Sequence, residues 1–127
     1  MTALRITGST IALIGIVSIS PAALADGPQA IATAAQHAGL AAAAGNIAGA
    51  HRHLHHTLNC LIGPDGEGFD EAAGNPCRDA GGAIPQTADA QMKENLEEAA
   101  MKVRDAIENE DAAAVKEVAM SVQDTLE

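Results

Sequence analysis

The sequence predicts an all-α fold, a four-helix bundle built from two short-turn helical hairpins that are joined by a long disulfide-stapled loop. Two observations indicate it. Apolar residues recur at helical spacings over four segments, and the two short turns between them carry glycine or asparagine. Residues 63–86, in contrast, contain six glycines and three prolines, too many for a helix. Helices joined by short turns pack antiparallel, and two such pairs form a bundle.

Each predicted helix has its own support. The first, about residues 29–44, depends on the helix propensity of alanine rather than on large apolar side chains. The second spans about residues 47–61 and has one apolar stripe (Ile47, Leu54, Leu58 and Leu61). The third, about residues 88–108, repeats apolar residues at spacings of four and three. The fourth, about residues 112–126, places three valines and a leucine on one face.

The first 25 residues have the pattern of a signal peptide. Arg5 supplies the basic start, the apolar run Ile11–Ile19 follows, and Pro21 breaks any helix. Ala23 and Ala25 are the small residues that signal peptidase requires, and the apolar run is too short to span a bilayer. We therefore expect cleavage after Ala25, a single mature domain of residues 26–127, and a bacterial protein that is periplasmic or secreted, with no membrane attachment after cleavage.

The charge balance argues against a nucleic-acid partner. The chain has 17 acidic and 7 basic residues, and its formal charge is −10. Because residues 1–25 contain Arg5 and no acidic residue, the mature domain would be more acidic still. Such a surface repels phosphate and raises the local concentration of cations.

Two features bear on covalent chemistry. In an exported protein, Cys60 and Cys77 are expected to form a disulfide that closes the loop between them. Ser121 is the one serine of the mature domain, and no glycine-rich phosphate loop opens a helix. No pairing of a nucleophile with a base emerges, and we expect a protein that is not an enzyme.

The segment AHRHLHHTLNC, residues 50–60, concentrates four of the five histidines. His51 and His55 are four residues apart, which places both imidazoles on one side of a helix, at the edge of the apolar stripe. If a tight turn near Gly45 joins the first two helices, His37 lies level with His53 and Leu54, within one helical turn of His51 and His55. We therefore predict a metal site at His37, His51 and His55.

His53 and His56 point to the opposite side of the predicted helix, at about 240° and 180° from Ile47. They form a weaker outer pair of candidate ligands. Imidazole ligands favour copper, zinc or nickel over calcium or magnesium, and the general order of affinities places copper first. A methionine from a later helix (Met92, Met101 or Met120) would complete a copper site. A pH-sensing interface or a structural role of the histidines is the alternative to metal binding.

AAQHAGLAAAAGNIAGAHRHLHH, residues 34–56, resembles the small histidine-rich metal-binding proteins of the bacterial periplasm, which are four-helix bundles of two short-turn hairpins. The resemblance implies a metal-binding function, although those proteins carry histidines on all helices and this chain has none after His56. The segment QMKENLEEAAMKVRDAI, residues 91–107, is similar to the first helix of exported b-type cytochrome bundles. That similarity implies haem with Met92 as a ligand, but the last predicted helix lacks the histidine of that family.

Taken together, the sequence predicts an exported metal-binding protein that acts in metal carriage, buffering or sensing. Two alternatives stay open. One is a b-type haem-binding bundle for electron transfer, and the other is a metal-independent interaction module that uses the 63–86 loop. A metal ion is the expected partner, and a homodimer or a protein partner is compatible with the alanine-rich helices.

Overall fold

The computed structural model describes residues 26–127, which contain five α-helices and no strand. The helices are α1 (Asp26–Ala42), α2 (Ile47–Ile62), α3 (Ala83–Gln86), α4 (Ala90–Ile107) and α5 (Ala112–Leu126). A 3₁₀ turn, Arg78–Ala80, precedes α3. The all-α fold class is therefore confirmed. The predicted signal peptide, residues 1–25, lies outside the described residues.

The four long helices lie close to their predicted positions. α5 has the predicted bounds, and α2 continues one residue beyond the predicted end. α1 begins three residues earlier than predicted because Pro28 lies in its first turn, where its missing N–H is not needed. α1 also ends earlier, since the N–H of Ala44 donates to the carbonyl of Ala41 in a tight turn. Part of the predicted loop, residues 63–86, is helical, because α3 and the 3₁₀ turn lie within it.

Side-chain caps fix where three of the helices begin. The Asn46 side chain accepts from the N–H of Gly49 at 2.8 Å, and Asp89 accepts from Met92 at 2.7 Å. Asp111 accepts from the N–H groups of two residues in the first turn of α5. Each cap satisfies N–H groups that have no partner within the helix, which is why α4 begins at residue 90 rather than 88.

The packing places α1 between α2 and α5, and α4 likewise contacts α2 and α5. The larger core side chains come from α2, α4 and α5 (Leu54, Leu58, Leu61, Leu96, Val103, Val115 and Val122). The buried residues of α1 are all small: Gly27 and six alanines (Ala30, Ala34, Ala35, Ala38, Ala41 and Ala42). Helices with small side chains at their contact can approach one another closely. Within residues 26–127, no helix is both long enough and apolar enough to cross a membrane.

The loop between α2 and α4 is held against α2 by the predicted disulfide, which is present between Cys60 and Cys77. Both cysteines are buried, at 0% and 6% exposure. The ends of the loop also touch: a Cβ added to Gly82 would lie 2.5 Å from the backbone nitrogen of Gly63 and 2.6 Å from the carbonyl oxygen of Ile62. Only glycine allows the two backbone segments to cross this closely.

The disulfide should contribute substantially to stability. It joins residues 17 positions apart, which in the chain-entropy model corresponds to about 3 kcal/mol. We expect the Cys60→Ala/Cys77→Ala variant to lose about that free energy of unfolding, measured by urea titration followed by circular dichroism. An unchanged unfolding midpoint in urea would show that the other loop contacts suffice without the disulfide.

Gly82→Ala should destabilise the protein by about 1–3 kcal/mol, the usual cost of forcing extra atoms into a packed site. Gly45→Ala is the matched control, because a Cβ at Gly45 meets no atom within 4 Å. Gly45→Ala is expected to be neutral or slightly stabilising, since alanine restricts the unfolded chain. Urea titration of both variants checks this, and equal midpoints would contradict the observed crossing of the loop ends.

Candidate metal centre

The close contact of α1 with α2 brings three histidine rings together. His37 lies on α1, and His53 and His56 lie on α2. The hydroxyl of Thr57, one turn after His53, donates to the backbone carbonyl of Ala34 on α1 at 3.3 Å and also to that of His53 at 3.1 Å. This buried threonine fixes how the two helices meet, one helical turn from His37.

The three imidazoles could hold a metal ion. One ring nitrogen from each of His37, His53 and His56 lies within 4.8 Å of the others. The Nδ1 atoms of His37 and His53 are 3.2 Å apart. Two nitrogen ligands of a tetrahedral metal are about 3.3–3.4 Å apart at usual bond lengths. The His37–His53 pair already has a suitable separation, and the His56 nitrogen, which lies within 4.8 Å of the others, would approach by up to about 1.4 Å.

His56 is oriented by the loop. Its Nε2–H donates to the backbone carbonyl of Ala73 at 2.7 Å. Because a carbonyl only accepts, Nε2 must carry the proton, and in the neutral ring Nδ1 then has the free lone pair. Nδ1 of His56 is buried and has no hydrogen-bond partner. A histidine with one nitrogen donating to a carbonyl and the other free has the arrangement of a metal ligand.

The electrostatics of the cluster favour the neutral forms of His37 and His53. Burial lowers the pKa of His37, and the charges that His56 and His53 would carry lower it further. Burial also lowers the pKa of His53, followed by repulsion from His56 and from Arg52. The neutral imidazole is the form that binds a metal, so the same surroundings that disfavour a proton preserve the ligand.

The donor set suits late first-row metals. Three neutral nitrogens favour copper, zinc or nickel, whereas calcium and magnesium require oxygen ligands. Thiolate is excluded within residues 26–127, because both cysteines are in the disulfide. A metal held by three imidazoles would keep an open coordination position for a water molecule or an exchanging ligand.

The predicted grouping of His37 with His51 and His55 differs from the observed one. His51 contacts the α4–α5 turn, where its Nε2 lies 2.9 Å from the carbonyl oxygen of Asn109. Nδ1 of His55 faces the loop, 3.6 Å from a carboxylate oxygen of Asp70. His37 instead meets His53 and His56, the pair assigned to an outer site. Of the three ligands predicted together, the described cluster therefore contains His37 alone.

The reason lies in which side of α2 faces α1. The sequence prediction places His51 and His55 at the edge of the apolar stripe of α2, but α1 does not pack on that edge. In the structure, α1 lies over the flank that carries His53 and Thr57, at about 240–280° from Ile47. His51 is on the other flank, near 40°, and faces α4 and α5.

Two contributors to the site were missed. The carbonyl of Ala73 orients His56, and the buried Asn59 binds the same part of the loop. A backbone carbonyl leaves no signal in a sequence. Asn59 did carry one, because a polar residue interrupts an otherwise apolar end of the helix in LNCLI, residues 58–62.

The lowered pKa values predict a loss of stability in acid. Because folded His37 and His53 bind protons less readily than they do in the unfolded chain, protons favour unfolding. This contribution to the free energy of unfolding is complete above the unfolded pKa of about 6.5. It decreases as the pH falls through that value towards the lowered pKa of the folded state. Urea titrations in EDTA between pH 7.5 and 5 should show this decrease.

A His37→Gln variant should have a weaker pH dependence than the wild type over the same range, since it removes one of the two groups. The slope of unfolding free energy against pH gives the comparison. Identical slopes in the variant and the wild type would contradict a contribution of His37 to the pH dependence of stability.

The chain was also compared with known proteins. No protein-family model matches it, and no curated protein and no solved structure matches it either. A function for this chain therefore has to be inferred from the geometry of the histidine cluster.

Proposed function

We propose that residues 26–127 form an exported, non-enzymatic four-helix bundle that binds a late first-row transition metal, copper before zinc or nickel. The metal would be bound by His37, His53 and His56. The observation that carries the proposal is the convergence of three imidazole nitrogens within 4.8 Å on two packed helices.

Three properties of the cluster support binding. The rings come from elements that are already packed together, so few groups must be ordered when a metal arrives. The lowered pKa values keep His37 and His53 neutral near pH 7. The acidic surface raises the local concentration of cations around the protein.

The preference for copper follows from the ligand type. Divalent copper exceeds both nickel and zinc in affinity for most nitrogen sites, so copper would take the site at equal free concentration. The methionines considered as a further copper ligand lie on α4 and α5, where Met92, Met101 and Met120 are half exposed. The cluster lies between α1 and α2, so a water molecule or an external ligand is the better candidate for the open position.

Metal carriage, buffering or sensing fits this site better than storage. All five histidines lie between residues 37 and 56, which limits the chain to one or two metal ions. The predicted signal peptide and the disulfide are both in keeping with an oxidising, extracytoplasmic compartment. His51 and His55 stay as the predicted second arrangement, with Asp70 beside His55 as an added oxygen donor.

The two other predicted functions have less support. For haem, Met92 lines a groove of about 990 Å³ beside α1 and α5, and among the described residues that line it none is a histidine. For a metal-independent interaction module, the loop and α4 form a groove that includes the exposed Met101. A homodimer is a further proposal that the alanine-rich α1 suggests.

Thermal unfolding of the oxidised domain with Cu(II), Zn(II), Ni(II) or haem tests the proposal. At a free metal concentration of 100 Kd, binding stabilises the folded state by about 2.7 kcal/mol. For a domain of this size, that should raise Tm by roughly 10 °C. His37→Ala/His53→Ala should abolish the rise, and His51→Ala/His55→Ala is the matched control, which should keep it.

The two double variants distinguish the two histidine arrangements. If the metal-dependent rise in Tm is lost in His51→Ala/His55→Ala alone, the site lies at His51 and His55 instead. A rise with haem alone would favour the cytochrome interpretation. No rise with any metal or with haem would exclude metal binding as the function and favour the loop as a protein-binding surface.

A further inference from the structure

A short part of the loop, residues 70–74, contacts the histidine cluster at His56 and is bound to α2 at two points. At the first, the Ala73 carbonyl accepts from Nε2 of His56 at 2.7 Å. At the second, the Asn59 side chain makes three hydrogen bonds: its amide donates to the carbonyls of Asp70 and Gly74, both at 2.8 Å, and its oxygen accepts from the N–H of Asp70 at 3.0 Å.

Asn59 determines where residues 70–74 lie along α2. The residue is fully buried, at 0% exposure, and both ends of its side chain are used. Asp70 and Gly74 are therefore fixed on either side of Ala73. Between them, the carboxylate of Asp70 accepts from the N–H groups of Ala72 and Ala73 at 2.9 and 3.2 Å, which closes a turn.

Gly74 completes the arrangement. Its φ of +93° is one that residues with a side chain rarely adopt. A Cβ at this position would lie 3.7 Å from Nε2 of His56, so the backbone passes close to the imidazole edge. Without this segment, Nε2 of His56 would have no fixed acceptor and either nitrogen could carry the proton.

We propose that Asn59 is a positioning residue of the metal site, and that metal binding at His56 and closure of the 70–74 segment stabilise each other. The inference rests on the proposed metal-binding function. Asn59 holds the segment, the Ala73 carbonyl then holds the proton on Nε2, and Nδ1 presents its lone pair to the metal. Because coupling between two equilibria is reciprocal, a bound metal also stabilises the closed loop.

Because of this coupling, how often residues 70–74 open away from α2 depends on whether a metal is bound. The segment carries Glu71 and Ala72 on its exposed side. In the metal-free protein, its attachment depends on the Asn59 and His56 hydrogen bonds and on the neighbouring disulfide. With metal bound, breaking the His56 contact would also weaken a ligand, so opening of the segment becomes rarer.

The first experiment uses wild-type, oxidised protein with Zn(II) alone as the probe. Amide hydrogen exchange at residues 70–74 is measured with and without saturating Zn(II), and cleavage after Glu71 by a glutamate-specific protease is followed in parallel. We expect exchange and cleavage both to slow by about tenfold or more, whereas the amides of the α4–α5 turn should change less. An NMR measurement of the His56 ring nitrogens should find the proton on Nε2 in both states.

The second experiment measures Zn(II) affinity of Asn59→Ala by competition with a chromophoric chelator. Groups that hold the other nitrogen of a ligating histidine typically change metal affinity by about 10–100-fold, so a loss of about tenfold or more is expected. Val115→Ala is the control for general destabilisation: Val115 is fully buried on α5, away from the loop, and its variant should keep wild-type affinity. In Asn59→Ala, the His56 proton should also distribute over both ring nitrogens.

The outcomes separate the two proposals. Slower exchange at residues 70–74 with Zn(II), together with weaker binding by Asn59→Ala but not Val115→Ala, supports the coupling. Wild-type protein that binds Zn(II) with unchanged exchange at residues 70–74 overturns the coupling and leaves metal binding standing, even where Asn59→Ala fails to fold. Unchanged affinity in a folded Asn59→Ala variant overturns the role of Asn59. Wild-type protein that binds no Zn(II), Cu(II) or Ni(II) overturns the proposed function itself.

Discussion

The packing of α1 against α2 is the contact on which the histidine cluster depends. The buried residues of α1 are six alanines and Gly27, and a helix with such a face can lie close enough for Thr57 on α2 to reach the backbone carbonyl of Ala34. At that separation the His37 ring meets His53, with Nδ1 atoms 3.2 Å apart. Larger side chains at these positions would separate the helices and remove the ring contact.

The same alanines leave the domain with a modest apolar core, so other interactions carry more of the stability. An alanine buries little apolar surface, and burial is worth about 25 cal/mol per Å². The chain has one aromatic residue in all. The disulfide, the buried amide of Asn59 and the crossing of Gly63 with Gly82 together attach the loop to the end of α2. Thus the features that stabilise the domain also place Ala73 beside His56.

Most of the fold could be read from the sequence, because its signals are local. The alanine-rich and periodic segments predict helices whose bounds differ from the observed ones by a few residues, and the side chains of Asn46 and Asp111 cap α2 and α5. The disulfide followed from the presence of two cysteines in a chain with an export pattern. α3 was not predicted, because a single helical turn between glycines has no periodicity to detect.

The site was harder to predict because it depends on non-local packing. The spacing of His51 and His55 predicts that they share one side of α2, but spacing cannot say which element covers that side. That depends on where α1, the α4–α5 turn and the loop lie. Because α1 is rich in alanine and has no stripe of large apolar residues, its sequence does not show which of its sides packs against α2. His56 needed a further fact, the position of a backbone carbonyl 17 residues away, which no side-chain pattern encodes.

The elements that carry the cluster also limit the cost of forming it. His37 and His53 are on helices joined by the short turn between Ala42 and Ile47, and the loop that orients His56 is closed by a covalent bond to the adjacent turn of α2. Short and covalent connections leave the ligands few alternative arrangements to lose on binding. Burial, followed by repulsion from neighbouring charges, lowers the pKa of His37 and of His53, so both rings disfavour the proton that would compete with a metal. A preorganised cluster of this kind could bind a metal with imidazoles alone, and under the proposed coupling a partner that contacts residues 70–74 would change the metal affinity.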